Sequence, residues 1–256
     1  MSAPAFVIGC PRSGTSVLGE LIAAHPETRY VFENLGGFPQ RDGHHRLVAA
    51  DATPGAIERL RGVVDELAGE RLLVDKGPRL ALRVPFIRAV WPDCKIVHIV
   101  RDGRDAACSL MPGIGGDDWL HAKPPGWAVL QERRPGLERC ARYWRNVVGI
   151  ALADLDRQPH KRIRYEDLVR RPVDTMQGVL TYLGLTWCRE VNAACQRVQN
   201  KTAGSYYAQH QQAWYRDDHS QRIGRWRENM TAAEVTQIEP IVWPLLTRLG
   251  YGAMDV

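Results

Sequence analysis

The sequence predicts an α/β fold of three layers, a central, mainly parallel sheet with helices on both faces. Three observations predict it. Short apolar runs of strand length alternate with stretches of helical period along most of the 256 residues. The first apolar run enters a glycine-bounded turn and then a helix, the P-loop-like arrangement FVIGCPRSGTSVLGEL at 6–21. The clearest strand, KIVHIV at 95–100, opens in the same manner into RDGRDAACS.

Taken in order, residues 5–9 read as the first strand, and 16–24 as a helix with Val17, Leu18, Leu21 and Ile22 on one face, stopped by Pro26. A short extended run follows at 29–32. Residues 34–53, rich in Gly, His, Asp and Arg, read as a surface loop, and 57–67 as a helix. The run 71–75 is strand-like and ends in Lys76-Gly77-Pro78. Residues 84–90 have helical period before Trp91-Pro92. After the strand at 95–100, a helix is expected from about Asp105. Residues 111–136 carry many Gly and Pro and read as a long, substrate-facing loop. A long helix is expected at 137–155, a strand at 160–165, a helical region after Glu166-Asp167, and a helix at 173–183 behind Pro172. Thr231 and Glu234 form a capping box that starts a last helix reaching about 249.

Hydrophobic residues make up 45% and charged residues 25% of the chain, ordinary values for a globular protein. The net charge of +5 suits an anionic ligand, while Lys and Arg are spread without a basic tail or aromatic–basic repeat, which argues against nucleic acid. No apolar run has the length of a membrane span, and no basic, then apolar, leader opens the sequence. Cys10, Cys94, Cys108, Cys140, Cys188 and Cys195 contain no C-x-x-C pair and read as free thiols; a cytoplasmic protein is expected.

Four groups of residues carry chemistry. In the opening loop, Gly9 and Gly14 frame Pro11, Arg12 and Ser13, with Thr15 and Ser16 after them; backbone amides at a helix N-terminus and the Arg12 guanidinium suit a phosphate or sulfate. A nucleotide-hydrolysing loop reads G-x-x-x-x-G-K-[ST], and here Thr15 occupies the lysine position. In the second group, Arg101 ends the best strand and Ser109 follows eight residues on, where ligands of parallel sheets sit; a surface Arg–Asp ion-pair cluster is the alternative. The third is Glu33 with Lys76, a carboxylate suited to accepting a proton and an ammonium suited to stabilising a transferring group, each at a strand end; two solvated surface residues are the alternative. The fourth is Ser220 with Arg222, Gly224, Arg225 and Trp226, a loop suited to folding over a nucleotide, or simply the approach to the last helix with Trp226 as a core anchor.

In this order, PRSGTS, KIVHIVRDGRDAACS, RIRYEDLVRRP and RIGRW resemble the sulfotransferases that use 3′-phosphoadenosine 5′-phosphosulfate, over roughly residues 6–249. RSGTSVLGELIAAHPETRYVFEN and LVDKGP are closest to the branch containing protein-tyrosine sulfotransferases and many bacterial members. The resemblance implies one sulfotransferase domain over 1–256, with 3′-phosphoadenosine 5′-phosphosulfate as donor, adenosine 3′,5′-bisphosphate as product and no metal. It implies that Pro11, Arg12, Ser13, Gly14, Thr15 and Ser16 hold the 5′-phosphosulfate and that Arg101 and Ser109 hold the 3′-phosphate. Tyr165, Arg222, Gly224, Arg225 and Trp226 complete the donor site. Glu33 falls at the position of the general base, with Arg12, Lys76 and Ser220 stabilising charge in an in-line transfer. The partner implied is a hydroxyl-bearing acceptor (a small metabolite, a saccharide or a peptide tyrosine), with no nucleic acid or membrane span and with a homodimer allowed. Residues 34–53, 111–136 and 205–215, the last including Tyr206, Tyr207, Trp214 and Tyr215, are candidates to shape the acceptor pocket. A P-loop kinase and a non-catalytic nucleotide-binding protein are the alternatives. The first calls for the missing lysine, and the second has no use for Glu33 and Lys76.

Overall fold

A run of four fully buried residues, Ala5–Ile8, is too short and apolar for an edge strand, and it lies at the centre of the sheet. The computed structural model describes residues 3–33, 35–111, 122–127, 136–199 and 223–252. Among them, β1 (Ala5–Ile8), β2 (Thr28–Phe32), β3 (Leu72–Lys76), β4 (Lys95–Val100) and β5 (Lys161–Arg164) form one sheet in the order β2-β3-β1-β4-β5. Every pairing is parallel, with Val7 opposite both Lys76 and Val97, Phe32 opposite Lys76, and Val100 opposite Arg164.

The helices are α1 (Thr15–Ala23), α2 (Pro54–Ala68), α3 (Val84–Val90), α4 (Gly103–Leu110), α5 (Gly136–Asp154), α6 (Tyr165–Arg170), α7 (Pro172–Leu183), α8 (Arg189–Gln199), α9 (Trp226–Asn229) and α10 (Ala232–Arg248). The strand pleat sends alternate residues to opposite faces. Phe6, Ile8, Leu73, Ile96 and Val100 pack with Leu60, Phe86, Ala107, Trp144 and Val242 of α2, α3, α4, α5 and α10. Val7, Val74, Val97 and Ile99 pack with Leu18, Val179 and Val191 of α1, α7 and α8. The expected three-layer α/β fold with a parallel sheet is therefore what the chain adopts. No helix among the described residues is long and apolar enough to cross a membrane. All six cysteines are free, and five of them are buried.

Several boundaries differ from expectation, each for a local reason. The helix expected at 57–67 starts at Pro54, because Thr53 caps it and the proline takes the first turn. The helix expected from about Asp105 starts at Gly103, because the Asp102 carboxylate accepts from the Arg104 amide at 2.8 Å. β3 runs one residue further, so Lys76 ends the strand rather than following it. Tyr165 begins α6 instead of ending β5. α8 was not foreseen: its apolar residues Val191, Ala194 and Cys195 are few and small, yet they cover one face of the sheet layer. The capping box is present as expected, with Glu234 N donating to Thr231 Oγ1 at 3.3 Å and Thr231 N to Glu234 Oε2 at 2.8 Å.

Candidate active site

Parallel strands place their carboxyl ends on one edge of the sheet, and chemistry-bearing residues follow every strand there. β1 leads into the loop 9–14, β2 into Glu33, β3 ends in Lys76, β4 leads into Arg101 and β5 into Tyr165. The edge thus gathers residues separated by more than a hundred positions in sequence.

The loop is built by close contacts. Ser13 N donates to Cys10 O at 3.1 Å, and Arg12 takes a left-handed φ of 69°. Gly14 has φ 91°, and a Cβ there would lie 2.3 Å from Tyr165 Cδ2; a Cβ on Gly9 would lie 2.6 Å from Ile99 O. Both positions therefore require glycine. Gly14 is also the N-cap of α1, without a side chain to satisfy the first amides. Ser13 is fully buried, and its Oγ has no hydrogen-bond partner. Pro11 and Thr15 are buried and Ser16 is half-buried. An orphaned buried hydroxyl beside a helix N-terminus fits an anion seated in the loop.

The second basic group joins the first. Arg12 Nε donates to Ser109 Oγ at 3.0 Å, and Arg101 Nη1 donates to the Arg12 carbonyl at 2.9 Å. The Arg101 guanidinium lies 4.7 Å over the Tyr165 ring, with Asp105 Oδ2 3.9 Å away. Arg101, Asp102, Arg104 and Asp105 are all buried, so the alternative of a solvated ion-pair cluster does not describe them. Asp102 instead receives Arg104, while Glu166 accepts from the Asp102 amide at 3.0 Å and from the Tyr251 hydroxyl at 2.8 Å.

Gly224 and Trp226 meet this group from the other side. Their amides donate to Asp105 at 2.8 and 3.1 Å. Burial pushes the Asp105 carboxyl up, against the pull of Arg101 and these two amides. The Trp226 ring centroid lies 4.3 Å from the Arg104 guanidinium and 4.8 Å from that of Arg227. Guanidinium stacking on this indole thus comes from the chain itself, and Arg225 is half-buried beside it. Ser220 and Arg222 lie outside the described residues, as do most of 111–136 and all of 205–215.

Glu33 and Lys76 form an ion pair, so they are not two solvated surface residues. Lys76 is fully buried, with Nζ 3.5 Å from the Phe32 ring centroid. Burial pulls the Lys76 ammonium down, and the hydrogen bond and charge of Glu33 pull it back. Glu33 has φ 54°, and its amide donates to Lys76 O at 2.8 Å. That left-handed turn ends β2 and lets the carboxylate meet Lys76 while also fronting a cavity of about 350 Å³. Leu35, Gly37, Phe38, Asp75, Arg79 and Arg83 line the rest of it. The sequence reading missed Asp75 and Asp105. The signal for Asp75 was available: LLVDK is a strand too apolar to be half-exposed, which buries the acid near its end.

Residues 56–189 match a model of the sulfotransferase family. The nodulation protein NoeE of Sinorhizobium fredii is 27% identical over 280 residues, covering 96% of this chain and 65% of NoeE. Protein-tyrosine sulfotransferase A of Caenorhabditis elegans is 23% identical over 96% of this chain and 66% of its own length. The chain thus spans slightly under two thirds of the length of these two relatives. Among solved structures, the sulfotransferase domain from the curacin biosynthetic pathway superposes with a TM-score of 0.65 at 15% identity, covering 98% of this chain and 99% of the domain. Mouse sulfotransferase SULT7A1 complexed with PAP superposes with a TM-score of 0.56, also at 15% identity, over 95% of this chain and 84% of its own.

Proposed function

Because this chain belongs to the sulfotransferase family, we propose that it moves a sulfuryl group from 3′-phosphoadenosine 5′-phosphosulfate to an acceptor hydroxyl. The observation that carries this reading is the meeting of three groups on one sheet edge: the loop with its buried Ser13, the Arg12–Ser109–Arg101 cluster, and the Glu33–Lys76 pair fronting a cavity.

The donor supplies the activated sulfuryl group. The loop amides, Arg12, Ser13, Thr15 and Ser16 hold its 5′ end, and Arg101 with Ser109 holds its 3′-phosphate, with Tyr165 bracing both. Glu33 takes the proton of the acceptor hydroxyl. The acceptor oxygen forms a bond to sulfur as the bond from sulfur to the phosphate oxygen breaks, and adenosine 3′,5′-bisphosphate leaves. Lys76 and Arg12 stabilise the negative charge that grows on the transferring and leaving oxygens, and Ser220 assists. Positioning and electrostatics supply most of the acceleration, as in phosphoryl transfer. No metal takes part, and the reading places the reaction in one domain of a cytoplasmic protein. The relatives named above include a protein-tyrosine sulfotransferase, and a carbohydrate sulfotransferase of Homo sapiens is 26% identical over 76% of this chain; both names are compatible with a hydroxyl acceptor.

Thermal denaturation with adenosine 3′,5′-bisphosphate and, separately, with ATP and magnesium tests the donor. The bisphosphate is expected to raise Tm, and ATP–magnesium to leave it nearly unchanged. Stabilisation by ATP–magnesium alone overturns the reading in favour of a kinase.

A further inference from the structure

Asp75 lines the cavity that Glu33 fronts. It precedes Lys76 on β3, so the pleat turns the two side chains to opposite faces. Its cross-strand neighbour is Val31, two residues before Glu33 on β2. The left-handed turn at Glu33 brings that carboxylate between the faces, in contact with Lys76 on one and with the Asp75 cavity on the other.

Asp75 is 2% exposed, and its Oδ1 has no hydrogen-bond partner. Arg83 shares the cavity but is engaged elsewhere: its guanidinium lies 4.8 Å over the Phe38 ring, and its Nε donates to His45 O at 3.2 Å. Burial pushes the Asp75 carboxyl up to about 7, with Glu33 adding to the rise and the charges of Lys76 and Arg83 and a hydrogen bond from the Lys76 amide opposing it. An unpartnered buried carboxyl oxygen costs stability, and folds retain such a group where a ligand completes it. An acceptor with a single hydroxyl gives that hydroxyl to Glu33 and leaves Asp75 unsatisfied. A second hydroxyl beside the first satisfies both.

We propose that Asp75 is a specificity-determining residue that accepts a hydrogen bond from a second acceptor hydroxyl, adjacent to the one that reacts. The pocket then selects vicinal diols over compounds with one hydroxyl. This rests on the sulfotransferase reading of the cavity as the acceptor site. The volume of about 350 Å³ takes one ring-sized group. Phe38, Gln40 and Arg79 also line it, one aromatic and two polar side chains that suit a ring carrying hydroxyls.

The test compares kcat/KM with radiolabelled 3′-phosphoadenosine 5′-phosphosulfate for matched probes, catechol against phenol and cis-cyclohexane-1,2-diol against cyclohexanol. Wild type is expected to prefer each diol by about tenfold or more, the range of one hydrogen bond to a charged group. Asp75→Ala is expected to bring that preference below about threefold, and Asp75→Asn, which still accepts a hydrogen bond, to keep part of it. Asp75→Asn is also expected to raise Tm at pH 8 and leave it unchanged at pH 4, because it removes a buried charge present only above the raised pKa. A purely structural acid would instead lose Tm in both variants. Equal kcat/KM for both members of each pair in wild type, or a preference that survives Asp75→Ala, overturns the proposal. Binding of adenosine 3′,5′-bisphosphate without transfer to any probe overturns the diol proposal alone. Absence of both binding and transfer overturns the sulfotransferase reading and the proposal with it.

Discussion

Glu33 and Lys76 cannot be probed independently by truncation. Lys76 is fully buried, so Glu33→Ala strands an ammonium without its carboxylate, a change that costs about 3–5 kcal/mol when one partner of a buried pair is lost. Glu33→Gln removes the basic function and the carboxylate charge but keeps a carbonyl oxygen for the Lys76 hydrogen bond, so it perturbs the pair less than truncation does. It is expected to lower kcat by about a hundredfold or more while the affinity for adenosine 3′,5′-bisphosphate, measured by calorimetry, stays near wild type. An unchanged kcat removes Glu33 from the role of base. Glu33 and Lys76 were legible in the sequence because they end strand-like runs and sit in motifs with a resemblance. The burial of Asp75 was legible in the apolar run LLVDK, but its place in one cavity with Phe38, Arg83 and Glu33 comes from the fold.

At the scale of elements, the loop and α6 are fitted to one another through Gly14 and Tyr165. Gly14→Ala places a Cβ against the Tyr165 ring at a φ that alanine rarely adopts. The variant is expected to lower Tm and to lose stabilisation by adenosine 3′,5′-bisphosphate. In a Tyr165→Ala background the clash is gone and only the backbone strain of about 1–3 kcal/mol remains, so Gly14→Ala is expected to lower Tm less there than in wild type. An equal Tm loss from Gly14→Ala in both backgrounds would refute the contact as the cause. The strand–loop–helix order of this region was legible from its apolar runs and glycines. The joining of Arg12 to Ser109 and Arg101 was not, since it depends on β1 and β4 being neighbours. Likewise, Gly224 and Trp226 read as a nucleotide-facing loop, whereas their amides rest on Asp105, a carboxylate whose burial only the packed α4 creates.

At the scale of the whole molecule, two buried titratable groups bend stability in opposite directions. His98, on the central part of β4, is fully buried with both ring nitrogens unpartnered; burial, and then the charges of His160 and Arg162, pull it down to about 3. Its folded value lies below its unfolded one, so stability is complete above about pH 6.5 and falls as pH drops toward 3. Asp75, raised to about 7, does the reverse: stability is complete below about pH 4 and falls as pH rises toward 7. Between pH 4 and 6.5 the two slopes, each on the order of a few kcal/mol over its range, offset one another. His98→Val, an apolar replacement suited to a strand, is expected to raise Tm at pH 4 and leave it nearly unchanged at pH 8. A Tm–pH curve parallel to wild type would show that His98 is not the acid-sensitive group. The parallel sheet and its two packed helical layers followed from the sequence pattern, while the strand order came from the structure. The sign of this pH response did not, because it depends on which polar side chains the layers enclose.

The central place of β1 also governs when the site can exist. During synthesis β1 is made before both of its sheet neighbours: β3 and β4 lie 60 or more residues downstream, and Tyr165, which closes on Gly14, comes later still. Until then an apolar strand has two open edges, the condition under which nascent chains associate wrongly. The anion-binding loop is thus made well before the strands and the tyrosine that give it shape, and its site can exist only after Tyr165 has joined the sheet edge.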